Sequence, residues 1–444
     1  MKKILIVAEY FAPNNEVASI RTTKLAKYFK LKGCYIGVMS RKLRFYESID
    51  STLQRDLKYV DEHFVISDSW FMQRLSLIFH KQRMLNTETE TTSKTTLKSK
   101  IINRILTVLF LFRKNFIFTF YETAAYSRKA KKQIKKISKC YDVILTSSGP
   151  FSANILGYAA KKNNPAILWV ADFRDPLIGC LPTQKQTSFY HKLQKEIIKK
   201  ADVITGVSDA CVENFRRDFK RNITTICNGF DKDDINNIDV INSKKFTLTY
   251  AGALYNGKRD LSIVFKIINE LANEYKINKN NITVNYLGRD EVHFFKQAED
   301  YNMQDICQTF GKVDREKSLQ LQLSSHILLL ASWNNTGDTG IITGKFLEYM
   351  MINKPIVCSV MGNLPNSVLK KMITEANNGI VWEQANDEID YPILKEYILK
   401  QYKQYEDGLF LNFIPNKEYI NQFQYNNIVN KFIEIIEDCE YKIN

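Results

Sequence analysis

Strand-like apolar runs alternate with amphipathic helical stretches in two successive series along this chain. Such β-α alternation predicts two parallel sheets, each with helices on both faces. In the first series, strands are predicted at Ile4–Ala8, Tyr35–Ser40, Val143–Thr146, Ile167–Ala171 and Val203–Val207, and helices at Ala18–Lys32, from Ser152 onward, and at Ser188–Lys200. In the second, strands are predicted at Phe246–Tyr250, Val284–Gly288, Ile327–Leu330 and Ile356–Val360, and a helix at Gly344–Asn353.

A polar stretch rich in Asn and Asp, Asn228–Lys245, lies between the two series and is interpreted as a linker. A chain of 444 residues is too long for one ordinary core, so two α/β domains are expected. We place an N-terminal Rossmann-like domain at 1–235, with a polar and apolar insertion at about 70–139. A C-terminal Rossmann-like domain that includes the terminal helices is placed at 246–444.

The eight cysteines are scattered, with no C-x-x-C pair and no Cys/His spacing typical of zinc. This pattern favours buried thiols in a reducing compartment over a disulfide framework. The first apolar run is about five residues long and lacks a cleavage site, so it predicts a β-strand rather than a signal peptide. We therefore expect a cytoplasmic protein.

Positive charge is concentrated in the first half of the chain. Residues 1–240 contain 41 Lys and Arg against 23 Asp and Glu, whereas residues 241–444 contain 22 against 25. One basic half indicates an anionic surface or ligand that this half alone meets, either nucleic acid or an anionic membrane leaflet. A lysine-rich genomic composition is the alternative, but it should have made both halves basic.

The segment 101–139 could contact such a leaflet. The apolar stretch Ile101–Glu122 is interrupted by Arg104, Arg113 and Lys114, so it is too short to span a bilayer. Its aromatic and basic residues, followed by the lysine-rich Ser127–Lys139, suit a segment lying among anionic headgroups. The alternative, a core helix beside a solvated one, remains open.

The second series contains a glycine-rich loop that runs directly into a helix at Gly344. Thr343 is the expected N-cap, so backbone N–H groups and the positive end of the helix dipole would converge on a bound anion. Lys345 adds charge in the first turn. Glu348 shares its face, and a carboxylate there could hold a ribose diol.

Basic residues also follow the first strand of this series. The strand ends at Gly252, and Lys258 and Arg259 open the next helix. Ligands of α/β sheets bind at the carboxyl ends of the strands, so these cations suit a pyrophosphate. Two solvated surface charges are the alternative.

In the first series, Asp172, Arg174 and Asp175 lie just beyond a buried strand. One carboxylate could act as a base or orient a hydroxyl, with Arg174 steering it through a bidentate contact. The alternative is an Arg–Asp pair that locks the loop.

Six segments occur in the order and spacing of family 4-like bacterial glycosyltransferases of the GT-B fold, and the chain resembles that family over nearly its whole length. The resemblance implies two facing Rossmann-like domains with parallel sheets, with C-terminal helices packing back toward the N-terminal domain. It also implies that the sugar is transferred with retention of its anomeric configuration and that no metal ion is required. The segments are MKKILIVAEYFAPNNEVASIRTTKLAKYF, WVADFRDPLIG, ADVITGVSDA, ICNGFD, YAGALYNGKRD and GKFLEYMMINKPI.

By position, the resemblance assigns Glu348 to the ribose and Lys258 and Arg259 to the diphosphate. The remaining residues assigned to nucleotide-sugar binding supply backbone donors or charge: Gly252, Gly340, Ile341, Ile342, Thr343, Gly344 and Lys345. The acceptor side is assigned to Asn15, Glu16 and Arg21, and the catalytic role to Asp172, Arg174 and Asp175.

The chain departs from the family's pattern at four places. Gly340 stands where relatives often have a second glutamate, Ala253 where many have arginine, and Arg174 where many have histidine. The loop Asn14–Val17 lacks the usual glycine pair. These departures affect which donor sugar is expected, and they indicate a different fit between this loop and the acceptor.

The sequence Asp231–Asp234 contains a D-x-D, which binds manganese in a different transferase fold. We interpret these residues as a solvated turn, and we expect no metal and no other cofactor. Since no nucleic-acid motif is present, a membrane is the better account of the basic half.

We therefore expect a transferase that uses a nucleotide-sugar, preferably a UDP-sugar. Its acceptor would be a glycan or polyprenyl-linked molecule in capsule, O-antigen or exopolysaccharide assembly. The protein would act peripherally at the inner face of the cell membrane and would not bind nucleic acid. The alternatives are a GT-B-type nucleotide-sugar epimerase or hydrolase, and a non-catalytic membrane-associated scaffold.

Overall fold

The computed structural model describes residues 1–68, 73, 128–149, 151–174, 184–219, 221, 223–408 and 413–443. The chain divides into two compact units. The first comprises Met1–Cys227 and Ile428–Asn444, and the second Asn228–Asn427. The boundary thus precedes the polar stretch 228–245, whereas the sequence suggested one within it. Most of the apolar segment 101–139 lies outside the described residues.

The first unit contains a seven-stranded sheet in the order β3-β2-β1-β4-β5-β6-β7, and every neighbouring pair is parallel. β1, β2, β4 and β5 are buried along almost their whole lengths, because helices must cover both faces of a parallel sheet. The strands are β1 Lys3–Val7, β2 Tyr35–Arg41, β3 Glu62–Ile66, β4 Val143–Ser148, β5 Leu168–Phe173, β6 Val203–Gly206 and β7 Thr224–Thr225.

The helices of this unit connect successive strands. They are α1 Val17–Leu31, α2 Ser51–Gln54, α3 at residues 128–137, α4 Ser152–Asn163, α5 Gln184–Lys200 and α6 Asp209–Phe219. Short 3₁₀ turns follow at Arg55–Tyr59 and Ser138–Cys140.

The second unit contains a six-stranded, fully parallel sheet in the order β10-β9-β8-β11-β12-β13. Its strands are β8 Phe246–Ala251, β9 Ile282–Leu287, β10 Cys307–Thr309, β11 Ile327–Trp333, β12 Ile356–Met361 and β13 Gly379–Glu383. Its helices are α7 Ser262–Asn273, α8 Glu291–Glu299, α9 Arg315–Leu323, α10 Gly344–Ile352, α11 Val368–Ala376, α12 Asp387–Glu406 and α13 Lys417–Asn421.

The last helix, α14 at Tyr425–Ile443, carries the chain back to the first unit. Its apolar stripe includes Val429, Phe432 and Ile436, which are buried, and the Phe432 ring lies 6.2 Å from that of Phe29 on α1. The expected two-domain α/β fold with parallel sheets is confirmed. Residues 428–444, which the sequence assigned to the C-terminal domain, belong to the first unit because this stripe packs there.

None of the helices in the described part of the chain is both long enough and apolar enough to span a membrane.

Gly157 permits the close packing of α4 on the first sheet. A Cβ atom at this position would lie 2.4 Å from the indole of Trp169, a buried side chain on β5. The indole Nε1 donates to Thr146 Oγ1 at 2.9 Å, so the ring cannot move away without losing that bond. Helix and sheet therefore approach as closely as glycine allows.

We expect Gly157→Ala to destabilise the protein by about 1–3 kcal/mol, the usual penalty for overpacking a core. Helix propensity alone predicts that the substitution stabilises the protein, by about 1 kcal/mol. Urea unfolding of the purified protein measures the difference. Gly344→Ala is the matched control, since a Cβ there meets no atom within 4 Å. Equal stability of the two variants would contradict the packing argument.

Candidate functional site

The loop after β8 is held in a fixed shape at the carboxyl edge of the second sheet. Its backbone turns through left-handed φ angles at Tyr255, Asn256 and Gly257. The amide of Arg259 donates to Leu254 O at 3.0 Å and closes the turn. The loop thereby holds Lys258 and Arg259 between β8 and α7. The sequence placed them at the start of the helix, but the helix begins only at Ser262 because the turn at 255–259 comes first.

This loop approaches the neighbouring β9 loop closely. A Cβ at Gly288 would lie 2.4 Å from Gly252 O, so only glycine fits there. The amide of Leu254 donates to the Asp290 carboxylate at 2.6 Å, which joins the two loops. The strand ends of β8 and β9 therefore form one rigid edge.

Aromatic rings hold the guanidinium of Arg259. Its Cζ lies 4.6 Å from the Tyr255 ring centroid and 5.7 Å from that of Trp333, at the end of β11. Lys258 Nζ lies 5.9 Å from the Trp333 ring. Cation–π contacts of this kind fix the direction of a guanidinium without neutralising it. The indole Nε1 of Trp333 donates to Asp338 at 2.6 Å and thereby anchors the loop that follows β11.

The loop between β11 and α10 ends in unused backbone donors. Thr343 is the N-cap, and its hydroxyl accepts from Phe346 N at 3.4 Å. The amides of residues 340–345 donate to no residue in the described part of the chain. Gly340 has a left-handed φ of +75°, and Gly344 is exposed at the first turn. Unused N–H groups at a helix N-terminus form an anion site.

Lys345 and Glu348 form an ion pair on the first turns of α10. Lys345 Nζ lies 2.6 Å from Glu348 Oε1, and the Glu348 side chain is only 14% exposed. Burial alone would raise the pKa of Glu348, but the charges of Lys345 and Arg315 outweigh it and lower the pKa. Glu348 is therefore an ionised acceptor at neutral pH, suited to receive hydroxyl hydrogen bonds.

The first unit places Asp172 in a buried network near the carboxyl end of β5. Both Asp172 oxygens accept from Arg21, at 2.8 and 2.9 Å, and Ser147 and Thr205 donate to them as well. Arg21 also donates to the carbonyls of Ile226 and Cys227. The bidentate contact that the sequence assigned to Arg174 is therefore made by Arg21, from α1.

Arg174 instead stabilises the end of β4. Its Nε and Nη2 donate to the carbonyls of Ser148 and Gly149, at 3.2 and 3.3 Å. On the acceptor-side loop, Asn15 is half-buried, with its amide donating to Ser48 O, and Glu16 is exposed at the start of α1. The structure thus brings Arg21 to Asp172 and leaves Arg174, Asn15 and Glu16 as separate contacts. Asp175 lies outside the described residues.

Glu9, which follows β1 at the carboxyl edge of the first sheet, was missed by sequence reasoning. Its side chain is 9% exposed and accepts from Ser152 Oγ at 2.6 Å, at the first turn of α4. The guanidinium of Arg41, at the end of β2, lies 3.5 Å from Glu9. A charged residue immediately after a buried strand was the available signal, as it was for Asp172.

The structure corrects the expectation that the D-x-D residues form a solvated turn. Asp231 caps a 3₁₀ turn at Lys232–Asp234, accepting from Asp233 N, so the turn itself is as predicted. Asp231 and Asp234 are buried, however, and Asp234 pairs with Arg315 at 2.8 Å. The interpretation as solvated holds for Lys232 and Asp233, which are exposed, and was wrong for Asp231 and Asp234. An arginine 81 residues later in the chain compensates the charge of Asp234.

Comparison with solved structures identifies the fold. Sucrose-phosphate synthase from Thermosynechococcus elongatus superposes over 100% of both chains with a TM-score of 0.58 and 11% identity. A TarM mutant from S. aureus, in complex with fondaparinux, alpha-GlcNAc-glycerol and UDP, covers 98% of this chain and 99% of its own, with a TM-score of 0.54 and 10% identity. The chain has the GT-B fold.

A Listeria monocytogenes protein named as a UDP-N-acetylglucosamine 2-epimerase shares this GT-B fold, with a TM-score of 0.52 and 10% identity over 100% of this chain and 98% of its own. No family model matches the chain. No curated protein matches it either. At identities this low, the likeness establishes the fold alone.

We expect Asp172→Asn to destabilise the protein by about 3–5 kcal/mol, because it leaves the buried guanidinium of Arg21 without a counter-ion. Urea unfolding measures the loss. The control is Glu440→Gln, which breaks the half-exposed Lys2–Glu440 pair and should cost less than about 1 kcal/mol. A loss of under 1 kcal/mol at Asp172 would contradict a structural ion pair and favour a catalytic carboxylate.

Proposed function

We propose that this protein is a retaining glycosyltransferase that takes a sugar from a UDP-sugar without a metal. The observation that carries the proposal is the carboxyl edge of the second sheet. There, unused amides at the start of α10 lie on the same strand edge as Lys258, Arg259 and the ionised Glu348. This set of groups matches the charges and hydroxyls of a nucleoside diphosphate.

Each group has a defined part in the proposal. Lys258 and Arg259 neutralise the diphosphate, and the amides of residues 340–344 donate to the phosphates and the sugar. Glu348 accepts from the ribose hydroxyls while Lys345 keeps it ionised. Because these donors are in place before the reaction, they stabilise the charge that grows on the leaving diphosphate. Basic side chains and a helix terminus supply the positive charge that a metal would otherwise bring.

The choice of uridine is supported by the relatives in fold. The TarM structure contains UDP, and the Listeria protein is named for a UDP-sugar. Neither likeness specifies the sugar or the acceptor.

We propose that the first unit binds the acceptor, with Asn15 and Glu16 on the acceptor side, and that Arg174 and Asp175 keep the catalytic role expected from the sequence. Asp172 and Arg21 then act as positioning residues, since their buried ion pair joins α1 to β5 and the residues after β7. The acceptor is a glycan or a polyprenyl-linked molecule of capsule, O-antigen or exopolysaccharide assembly. Transfer takes place in the cytoplasm, at the inner face of the membrane.

Membrane contact is supported by the helix α3. Ala130 and Ile134 are fully buried against the first unit, whereas four lysines on the other side of the helix are exposed. Lysines near an anionic leaflet contribute about 1 kcal/mol each to binding. The four residues are Lys131, Lys132, Lys135 and Lys136.

A second candidate, a nucleotide-sugar epimerase or hydrolase, is favoured by the GT-B fold of the Listeria protein and by Gly340, where transferases often have glutamate. It predicts turnover of the nucleotide-sugar without an added acceptor. A non-catalytic scaffold predicts membrane binding without nucleotide affinity.

The first prediction of the proposal is micromolar binding of UDP in a metal-free calorimetric titration, with GDP as the comparison. Glu348→Gln should weaken UDP about 10- to 100-fold, the effect of losing a charged hydrogen bond of about 1.5–3 kcal/mol. Glu196→Gln is the matched control, since Glu196 pairs with Lys199 at the same helical spacing but is exposed.

Two results would overturn the assignment. Absence of binding for both nucleotides would favour the scaffold. Unchanged UDP affinity in Glu348→Gln would remove Glu348 from the site even if UDP binds.

The membrane contact predicts flotation of the protein with vesicles containing phosphatidylglycerol but not with pure phosphatidylcholine. Reversal of the four α3 lysines to glutamate should lower the bound fraction at least tenfold, since the attraction is electrostatic. The matched control reverses four exposed lysines of the second unit and should bind like the parent protein. Flotation that is insensitive to the α3 reversal would contradict the proposal. The control residues are Lys276, Lys296, Lys317 and Lys371.

A further inference from the structure

A cavity of about 500 Å³ lies at the amino edge of the second sheet, where β8, β11 and β12 begin. Its size is within the range of small-molecule sites. The loops of the proposed nucleotide site follow the carboxyl ends of strands in this sheet, whereas this cavity lies at their starts. Its walls include Ser324, His326, Asn353, Lys354, Tyr405 and Phe413.

Among the described residues that line the cavity, Lys354 is the only charged one. It is half-buried, and it forms no hydrogen bond or ion pair with any residue that the structure describes. Burial lowers its pKa. A partly buried ammonium without a carboxylate is costly, and a bound anion would compensate it.

His326 adds a second donor of fixed orientation. Its Nδ1 accepts from the amide of Thr247 at 3.1 Å, so in the neutral ring the proton must be on Nε2. Burial and, to a lesser degree, the charge of Lys354 lower the His326 pKa to about 4, which keeps the ring neutral at pH 7. His326 Nε2 donates to no described residue and is therefore available to an acceptor.

The aromatic wall of the cavity is rigid. The rings of His326 and Tyr405 meet edge to face at 5.1 Å, and Phe246 lies behind both at 5.5 Å. Tyr405 OH donates to Lys244 O at 2.7 Å, which fixes the tyrosine. Fixed rings of this kind pack against a flat apolar or heteroaromatic group.

We propose that this cavity binds a small organic anion, a carboxylate or phosphate carried on a flat ring. The anionic group pairs with Lys354 and accepts from His326 Nε2, and the ring packs against Tyr405. This site does not depend on the proposed glycosyl transfer, because none of its residues belongs to the nucleotide site.

Pyridoxal 5′-phosphate is a suitable probe because it combines a phosphate, a flat ring and an aldehyde. While His326 Nε2 donates to the phosphate, the aldehyde condenses with the neutral form of the Lys354 amine, which burial favours, and water is released. Borohydride then reduces the imine to a stable secondary amine. After brief labelling at pH 8, peptide mass spectrometry compares each lysine. We expect Lys354 to be labelled at least tenfold faster than Lys371, which is 76% exposed. Equal rates would overturn the proposal.

Competition identifies the anionic group. Excess inorganic phosphate or excess benzoate should slow the labelling of Lys354 and leave Lys371 unaffected, and the stronger competitor shows which anion the cavity prefers. Protection by neither would overturn the proposal. Tyr405→Leu keeps the lysine but removes the wall, so the rate at Lys354 should fall toward that of Lys371. An unchanged rate in a folded Tyr405→Leu protein would contradict the cavity as the binding site.

Discussion

In both sheets every strand runs parallel to its neighbours, and much of the structure follows from this. A parallel strand cannot return through a tight hairpin, so nearly every connection must cross a face of the sheet, and most do so as a helix. In each sheet, all carboxyl ends of the strands therefore lie on one edge, and the loops that lead into helices lie at that edge. In the second unit this edge collects the unused amides of residues 340–345, the cations after β8 and Glu348. Residues almost 100 positions apart are brought together by topology alone.

The same constraint explains the buried charges of the first unit. In a sheet covered on both faces, the central strands have no contact with water. A carboxylate at the end of β5 therefore needs a cation within the protein to compensate its charge. Arg21 satisfies this requirement from α1, which leads from β1 to β2, and it also takes up two carbonyls beyond β7. One guanidinium thus ties the first helix to the fifth strand and to the end of the sheet. Replacing either partner alone leaves a buried charge, so we expect the fold to depend on the pair.

The sequence predicted the architecture well because the strand signal is local. Apolar runs marked most of the strands that form the centres of both sheets, and the predicted helix at Gly344–Asn353 differs from the observed α10 by one residue. Lys258 and Arg259 were found because they lie in the loop that follows a predicted strand, and Glu348 because it shares a helix face with Lys345 after the glycine-rich loop. Pairings over long separations could not be read in this way. Arg21 and Asp172 are 151 residues apart, and nothing in the local pattern of either predicts its partner.

Burial was the other property that the sequence could not supply. The Asp231–Asp234 segment has the composition of a solvated turn, yet two of its carboxylates are buried. Lys354 occupies an unremarkable Asn-Lys-Pro turn, and only the fold shows that it lines a cavity. Composition describes what a side chain prefers, whereas tertiary packing decides what surrounds it.

The three cations of the proposed nucleotide site differ in whether their charge is already paired and in whether their orientation is fixed. Lys345 is already paired with Glu348, so the pair brings little net charge. Arg259 is held between two rings and by its contact with Ala253 O, which fixes its direction, while Lys258 is exposed and forms no ion pair with any described residue. A fixed charge stabilises a transition state without reorganising, whereas an exposed side chain that forms no ion pair can turn toward the departing phosphate. The division favours catalysis in which Arg259 sets the position of the diphosphate and Lys258 accompanies its release.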